Sequence, residues 1–215
     1  MNLMRTLKTA LADYGNTEEA VMLWCAFCMA FFGLLRISEI VSRSHRAYDA
    51  PSTLTHNDVQ LQDGRVIIQL KRTKTDQSAT GAKIVLTATH RSVCPVRAAE
   101  AFYQQRKAQG MTAKPFFCYA DGRYLTRERV DRILKLLLKG HPDYQRFSTH
   151  SFRIGAATEA AALSVPKEEI KRAGRWKSDC VERYIRTDAI TNPEFYRRRV
   201  CLGAKGPGTG GRCRQ

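Results

Sequence analysis

The sequence has few acidic residues for its size. Asp and Glu together number 20 against 36 Lys and Arg, which gives a formal net charge of +16 at pH 7. Such an excess of positive charge favours a polyanionic partner, and nucleic acid is the leading candidate ahead of an anionic membrane surface. The hydrophobic content of 43% is typical of a packed globular core, so the charge lies on a folded domain.

Long apolar runs are also lacking. The uncharged stretch at residues 20–35 has 16 residues, which is short for a membrane span and suits a buried helix. Arg5, Lys8 and Asp13 interrupt the first 15 residues, so these do not resemble a secretory signal. We therefore expect no membrane association and an intracellular location, in the nucleus if the host is eukaryotic and otherwise in the cytoplasm.

Motifs for metals and nucleotides are missing as well. The seven cysteines are irregularly spaced, and Cys25 and Cys28 form a CxxC inside the apolar stretch without a second pair to complete a zinc site. This pattern predicts core packing and reduced thiols. The chain has no Walker-type phosphate loop and no carboxylate cluster for two metals, so we expect neither a metal nor another cofactor.

Periodic apolar residues predict a mainly α-helical chain with a small antiparallel β-sheet. Asn16 is expected to begin a helix that ends near Gly33, and Ser178 or Asp179 to cap a helix that carries Tyr184. Further helices are predicted at 96–109, 127–138, 148–163 and 167–173, strands at 66–70, 82–86 and 116–119, and a turn at 63–64. The small residues of 151–163 should let another backbone approach closely. We divide the chain into a lead-in at 1–15, one domain at 16–202 and a disordered basic, Gly-rich tail at 203–215.

Arg36 stands out because it directly follows the apolar helix. A guanidinium group does not lose its proton, so an arginine near the core needs an anionic partner. Glu39 lies three residues later and is a helical neighbour that could serve as this partner. Taken alone, the segment favours a structural ion pair over a functional site.

His150 and Arg153 lie at helical spacing, which places both side chains on one face. Two cationic groups side by side repel each other unless an anion lies between them. The arginine fork matches two phosphate oxygens, and the histidine can donate a hydrogen bond or a proton. The pair by itself is a weak motif.

Trp176 and Tyr184 form the third feature. The indole N–H is a donor that does not titrate, which suits a fixed contact to a phosphate oxygen. Arg183 and Arg186 flank Tyr184, and positive charge beside a tyrosine favours its charged, nucleophilic form. An exposed amphipathic helix face is the alternative for this segment alone.

Together these segments resemble the catalytic series of the tyrosine recombinases, the phage integrase family. Gly-Leu-Leu-Arg-Ile-Ser-Glu-Ile (33–40) is similar to the first arginine box, and His-Ser-Phe-Arg-Ile-Gly-Ala-Ala (150–157) is similar to the second. Ala-Gly-Arg-Trp (173–176) and Tyr-Ile-Arg (184–186) resemble the nucleophile segment, and Arg-Thr-Lys-Thr (72–75) stands where the family has a hairpin lysine. The likeness covers roughly residues 16–200, and the segments are similar to those in recombinases of DIRS-like and crypton mobile elements.

The resemblance implies the recombinase catalytic-domain fold and cleavage of double-stranded DNA through a 3′-phosphotyrosine. Tyr184 would be the nucleophile and Lys74 the general acid. Glu39 would orient its neighbours. The groups expected to bind the scissile phosphate are Arg36, Arg153, His150 and Trp176. Neither metal nor ATP would be needed, and recombination would require a homo-tetramer, with residues 192–202 as a candidate docking helix.

Two departures from the family pattern leave alternatives open. The ring residue before the nucleophile usually lies about one position further from it, in the place that Arg175 occupies, although the interval from His150 favours Trp176. The family's DNA-clamping domain normally precedes the first arginine box, and we expect it to be absent because only 15 residues precede Asn16. A type IB topoisomerase and a decayed or domesticated DNA-binding protein are therefore the competing functions, although all six catalytic positions are filled.

Overall fold

The computed structural model describes residues 1–71, 81–110 and 115–186. Within these ranges the chain forms seven α-helices and one antiparallel sheet of three strands in the order β1-β2-β3. The helices are α1 (Asn2–Ala12), α2 (Thr17–Phe32), α3 (Ile37–Ile40), α4 (Pro95–Ala108), α5 (Arg127–Leu137), α6 (His150–Ala162) and α7 (Lys167–Ala173). The strands are β1 (Val59–Gln62), β2 (Arg65–Leu70) and β3 (Ala82–Thr87). The predicted class, mainly helical with a small antiparallel sheet, is confirmed.

Helix α2 is the centre of the core. The side chain of Asn16 accepts a hydrogen bond from the Glu19 amide, and the helix ends at Gly33, as predicted. Most of its apolar side chains are buried, and α1, α4 and α6 all pack against it. Cys25 and Cys28 are fully buried thiols, in agreement with the core-packing interpretation.

Helix α6 lies against α2 as the small-residue pattern predicted. Phe152 stacks on Phe27 with 4.9 Å between ring centroids. Gly155 faces Phe31, and a Cβ at this position would lie 3.3 Å from the ring. The absence of a side chain here brings α6, with its two candidate site residues, close to the end of α2.

The first 15 residues contribute to the same core. Met4, Leu7 and Leu11 of α1 are buried, and the helix packs against α2 and α5. The stretch that the sequence suggested as a lead-in is therefore an amphipathic helix with its apolar face covered.

The sheet is built from the predicted hairpins. Gly64, at a φ of +67° that favours glycine, turns β1 into β2, where Gln62 pairs with Arg65. Leu70 then pairs with Ala82, so β2 and β3 converge on the connection that contains Lys74. Lys74 itself, at residues 72–80, lies outside the described residues, as do the predicted docking helix at 192–202 and the tail at 203–215.

Two sequence-based expectations were wrong. Residues 116–119 form no strand: Pro115 and Cys118 make only isolated bridges, to Thr55 and Tyr124, because no neighbouring strand runs alongside them. The segment before Tyr184 is a short 3₁₀ helix, Asp179–Arg183, in which the Ser178 side chain makes no capping hydrogen bond. Tyr184 therefore follows a tight turn instead of lying within an α-helix.

Candidate active site

Arg36 lies at the start of α3, immediately after the turn that ends α2. Its backbone N–H donates to Glu39 Oε2 (2.8 Å), and its Nη1 lies 3.1 Å from Glu39 Oε1. The i, i+3 spacing thus gives the predicted pair, in which the carboxylate fixes both the backbone and the side chain of Arg36. The Glu39 side chain is only 4% exposed, so the carboxylate of this pair is buried beneath the site.

Arg175 binds the other side of the same carboxylate, with its Nη2 3.3 Å from Glu39 Oε2. It adopts a left-handed backbone conformation (φ +57°), which ends α7 and turns its side chain toward the end of α2. Its Nη2 also lies 3.3 Å from the carbonyl oxygen of Leu34, itself a left-handed residue at φ +46°.

Arg153 is fully buried at the centre of the site. One Nη donates to the carbonyl of Leu34 and the other to the carbonyl of Gly174, so the side chain joins the end of α2 to the end of α7. Burial and the charges of Arg36 and Arg175 lower the pKa of Arg153 to about 10, and Glu39 opposes this shift. The group stays protonated at neutral pH. Two guanidinium groups, those of Arg36 and Arg175, therefore pair with the Glu39 carboxylate, and the third, that of Arg153, lies beside them and bonds backbone carbonyls instead.

Trp176 covers this cluster. The Arg153 guanidinium carbon lies 4.2 Å from the centre of its ring, and the ring is 4.9 Å from that of Tyr184. Gly174 makes room for the indole, because a Cβ there would overlap it. Among the described residues the buried Nε1 of Trp176 has no hydrogen-bond partner, and the same holds for Nε of Arg153 and of Arg175.

Tyr184 is partly buried, and its ring lies over Arg153 and against Trp176. Its hydroxyl lies 3.4 Å from His150 Nε2 at the exposed first turn of α6, and its ring lies 5.6 Å from the Arg153 guanidinium. Thr158, two turns further along α6, donates to the Tyr184 carbonyl (3.2 Å) and accepts from the Arg186 amide (3.1 Å). Sequence reasoning missed Thr158, although a hydroxyl among the alanines of 156–162 was a usable signal.

The fold thus brings together seven of the eight candidate residues, whose roles stay predictions. They are Arg36, Glu39, His150, Arg153, Arg175, Trp176 and Tyr184. The structure differs from expectation at Arg153, which is covered by Trp176 and Tyr184 and bonded to two backbone carbonyls. Contact with a phosphate would require these two rings to shift.

Two further observations concern the described part of the chain. No helix in it is long and apolar enough to span a membrane. No group of three His, Cys, Asp or Glu side chains in these ranges is arranged to hold a metal ion.

This arrangement is the fold of the tyrosine recombinase catalytic domain. XerH site-specific recombinase, solved with its difH substrate, has a TM-score of 0.61 and 11% identity over 90% of this chain and 51% of its own. XerA recombinase has a TM-score of 0.60 and 14% identity, and the match covers 92% of this chain and 61% of XerA. The Tn1549 transposon integrase, solved with transposon right end DNA, has a TM-score of 0.55 and 15% identity. The match covers 88% of this chain and 62% of the integrase chain. The chain therefore spans half to three-fifths of the length of these proteins.

The chain belongs to the phage integrase family, whose sequence profile matches residues 2–189. A comparison with curated proteins finds no significant match. The family assignment made from the arginine boxes is confirmed, and the matched span includes α1 together with the whole described site.

Proposed function

We propose that this chain is the catalytic domain of a site-specific DNA recombinase or integrase. The proposal rests on one observation: His150, Trp176 and Arg153 lie against Tyr184, next to the pair of arginines that Glu39 holds. Positive charge in excess of the single carboxylate suits a bound phosphodiester. The XerH and Tn1549 integrase structures contain DNA, which supports double-stranded DNA as the partner.

In the proposed reaction the Tyr184 oxygen attacks a scissile phosphate. A bond forms between this oxygen and phosphorus, the bond from phosphorus to the 5′ oxygen breaks, and a 3′-phosphotyrosine results. The resemblance predicted a phosphate-binding role for His150, and because His150 lies 3.4 Å from the phenolic oxygen, we propose that it also accepts the proton that leaves Tyr184. Lys74 donates a proton to the departing 5′ oxygen. The new bond conserves the phosphodiester energy, so that a 5′ hydroxyl can later reverse the step without ATP or metal.

Charge builds on the non-bridging oxygens during this transfer, and the site offers donors for it. Arg36 is partly exposed beside Glu39, and the Trp176 Nε1 and Arg153 Nε groups have no partner among the described residues. Both rings over Arg153 belong to residues of the reaction itself. We propose that the two rings shift enough for the phosphate to reach the guanidinium group, while the Tyr184 backbone stays in place and the Trp176 N–H turns to the phosphate.

The test is covalent capture of a nicked suicide DNA substrate in buffer that contains EDTA. We expect the wild-type chain to form an adduct and Tyr184→Phe to form none, while both bind the DNA with similar affinity, because only the phenolic oxygen is removed. An adduct with the Phe variant would place the nucleophile elsewhere, with Tyr196 the next candidate. A strict magnesium requirement would indicate a different class of nuclease.

The same substrates separate the alternatives. Relaxation of a supercoiled plasmid without recombination between paired sites would support a topoisomerase, and DNA binding without any adduct would support a domesticated binding protein. The recombinase is expected to act as a homo-tetramer on DNA inside the cell, in the nucleus of a eukaryotic host or the cytoplasm of a prokaryotic one.

A further inference from the structure

Thr158 takes no part in the proposed reaction, yet its side chain contacts Tyr184, the proposed nucleophile. Thr158 is 4% exposed, and its hydroxyl makes two hydrogen bonds, one to the Tyr184 carbonyl and one from the Arg186 amide. A threonine within a helix often bonds a carbonyl of its own preceding turn. The described hydrogen bonds of Thr158 instead go to residues 184 and 186, outside the helix.

The two bonds hold the chain on both sides of Ile185. Because a hydroxyl both donates and accepts, one side chain satisfies a carbonyl and an amide that would otherwise be open at the end of the 3₁₀ turn. Thr158 is also β-branched, which restricts rotation about its first side-chain bond in a helix. The position of the Tyr184 backbone is thereby tied to a rigid point on α6.

Helix α6 consequently contacts Tyr184 at two separate points. His150 meets the hydroxyl and Thr158 meets the carbonyl, and these residues are eight positions apart, which corresponds to a rise of about 12 Å. Arg153 lies between them beneath the ring. The tyrosine thus lies along the helix with its two ends fixed by residues of that helix.

We infer that Thr158 is a positioning residue that fixes the Tyr184 backbone so that the hydroxyl meets His150 and the phosphate. The inference rests on the proposed function for its kinetic consequence, whereas the backbone contact can be tested without any catalysis. The requirement for a nucleophile held in place follows from the steep dependence of such reactions on the position of the reacting atoms.

The experiment compares Thr158→Val, which keeps the shape and loses both hydrogen bonds, with Thr158→Ser, which keeps the hydroxyl. Thr126→Val is the matched control, because this residue also loses a hydroxyl that bonds a backbone amide, that of Arg129 on α5. Each full-length variant is measured for DNA affinity, for the single-turnover rate of adduct formation at saturating DNA, and for hydrogen exchange at the Arg186 amide by NMR.

We expect Thr158→Val, which loses both hydrogen bonds, to slow adduct formation by about tenfold or more. Exchange of the Arg186 amide should be faster by about tenfold, the scale of its one lost hydrogen bond, and DNA affinity should not change. Thr158→Ser should keep the wild-type rate of adduct formation and the wild-type Arg186 exchange, and Thr126→Val should change neither of these rates. An unchanged adduct rate in Thr158→Val would overturn the inference, as would an equal slowing in Thr126→Val.

The two proposals fail differently. If the wild-type chain forms no adduct, the proposed function falls. In that case faster Arg186 exchange in Thr158→Val still supports the backbone contact, and unchanged exchange overturns it.

Discussion

At the scale of single residues, the open question is which side chain beside Arg153 acts on the phosphate. Trp176 has a buried N–H without a partner among the residues described, and its ring packs on both Arg153 and Tyr184. Arg175 is instead engaged by Glu39 and by the Leu34 carbonyl. The geometry favours Trp176 as the phosphate donor and Arg175 as the residue that holds Glu39 in place.

We therefore expect Trp176→Ala to slow cleavage more than Arg175→Ala does. Because truncating a buried indole also leaves a cavity, Trp176→Phe is the sharper variant: it keeps a ring over Arg153 and loses the N–H. Its cleavage rate should fall by about tenfold to a hundredfold, the contribution of one hydrogen bond to a charged group. Single-turnover cleavage measures this, with urea unfolding as the control for stability.

The reverse ranking, with Arg175→Ala the more harmful at equal stability, would contradict this assignment. It would place Arg175 on the phosphate and make Trp176 a packing residue. The family pattern left this alternative open, since Arg175 occupies the more distant position from the nucleophile.

At the scale of secondary-structure elements, a buried carboxylate joins the start of α2 to α5. Glu19 is 3% exposed and accepts hydrogen bonds from Arg129 (2.7 Å to Nη2), Tyr119 (2.6 Å) and Tyr14 (2.8 Å). Burial opposes its charged form, but these hydrogen bonds prevail and lower the pKa of Glu19. The network holds the start of α2, which leads to Arg36, against α5 and against the non-helical segments that contain Tyr14 and Tyr119.

This network predicts a pH-dependent contribution to stability. Because the folded pKa lies below the unfolded value of about 4.3, the contribution is complete above that pH and is lost as the pH falls through the folded pKa. Glu19→Gln should lower the free energy of unfolding by about 1–3 kcal/mol at pH 7, the cost of weakened buried hydrogen bonds. The difference from wild type should shrink below about pH 4.

Urea unfolding between pH 2.5 and pH 7 measures both effects. Glu100→Gln on α4 is the control, because Glu100 is exposed. A constant difference between wild type and Glu19→Gln over the whole range would show that the Glu19 charge does not stabilise the fold.

At the scale of the whole molecule, the net charge of +16 and the site geometry both favour DNA. Residues 1–215 span about half the length of XerH recombinase, and the relatives' remaining length has no counterpart in this match. We therefore expect residues 1–215 alone to bind DNA mainly through the phosphate backbone. Recognition of a particular site and assembly of a tetramer would then need contacts beyond the described domain.

The corresponding prediction concerns salt. Each phosphate contact contributes about −0.9 to the slope of log K against log salt concentration, so we expect a slope steeper than about −3. Affinities for unrelated duplexes should agree within about tenfold. Fluorescence anisotropy between 50 and 300 mM NaCl measures both. Tight, site-specific binding with recombination between paired plasmid sites at physiological salt would show that residues 1–215 suffice.

The sequence by itself determined much of the fold and predicted which residues would form the candidate site. The Asn16 cap, the Gly64 turn and the small residues of α6 act locally, so their consequences could be predicted from neighbours in the chain. The order of the arginine boxes and Tyr184 was enough to assign the family, which the profile match confirmed.

Only the tertiary structure decided how these residues meet. Arg153 bonds the carbonyls of Leu34 and Gly174, which are 119 and 21 residues away, and no local pattern specifies such contacts. The hydrogen bonds from Thr158 to the chain around Tyr184, and the 3₁₀ turn before it, have the same origin. Buried polar groups must find partners wherever the packed chain provides them, so these pairings follow from the packing of α2, α6 and α7.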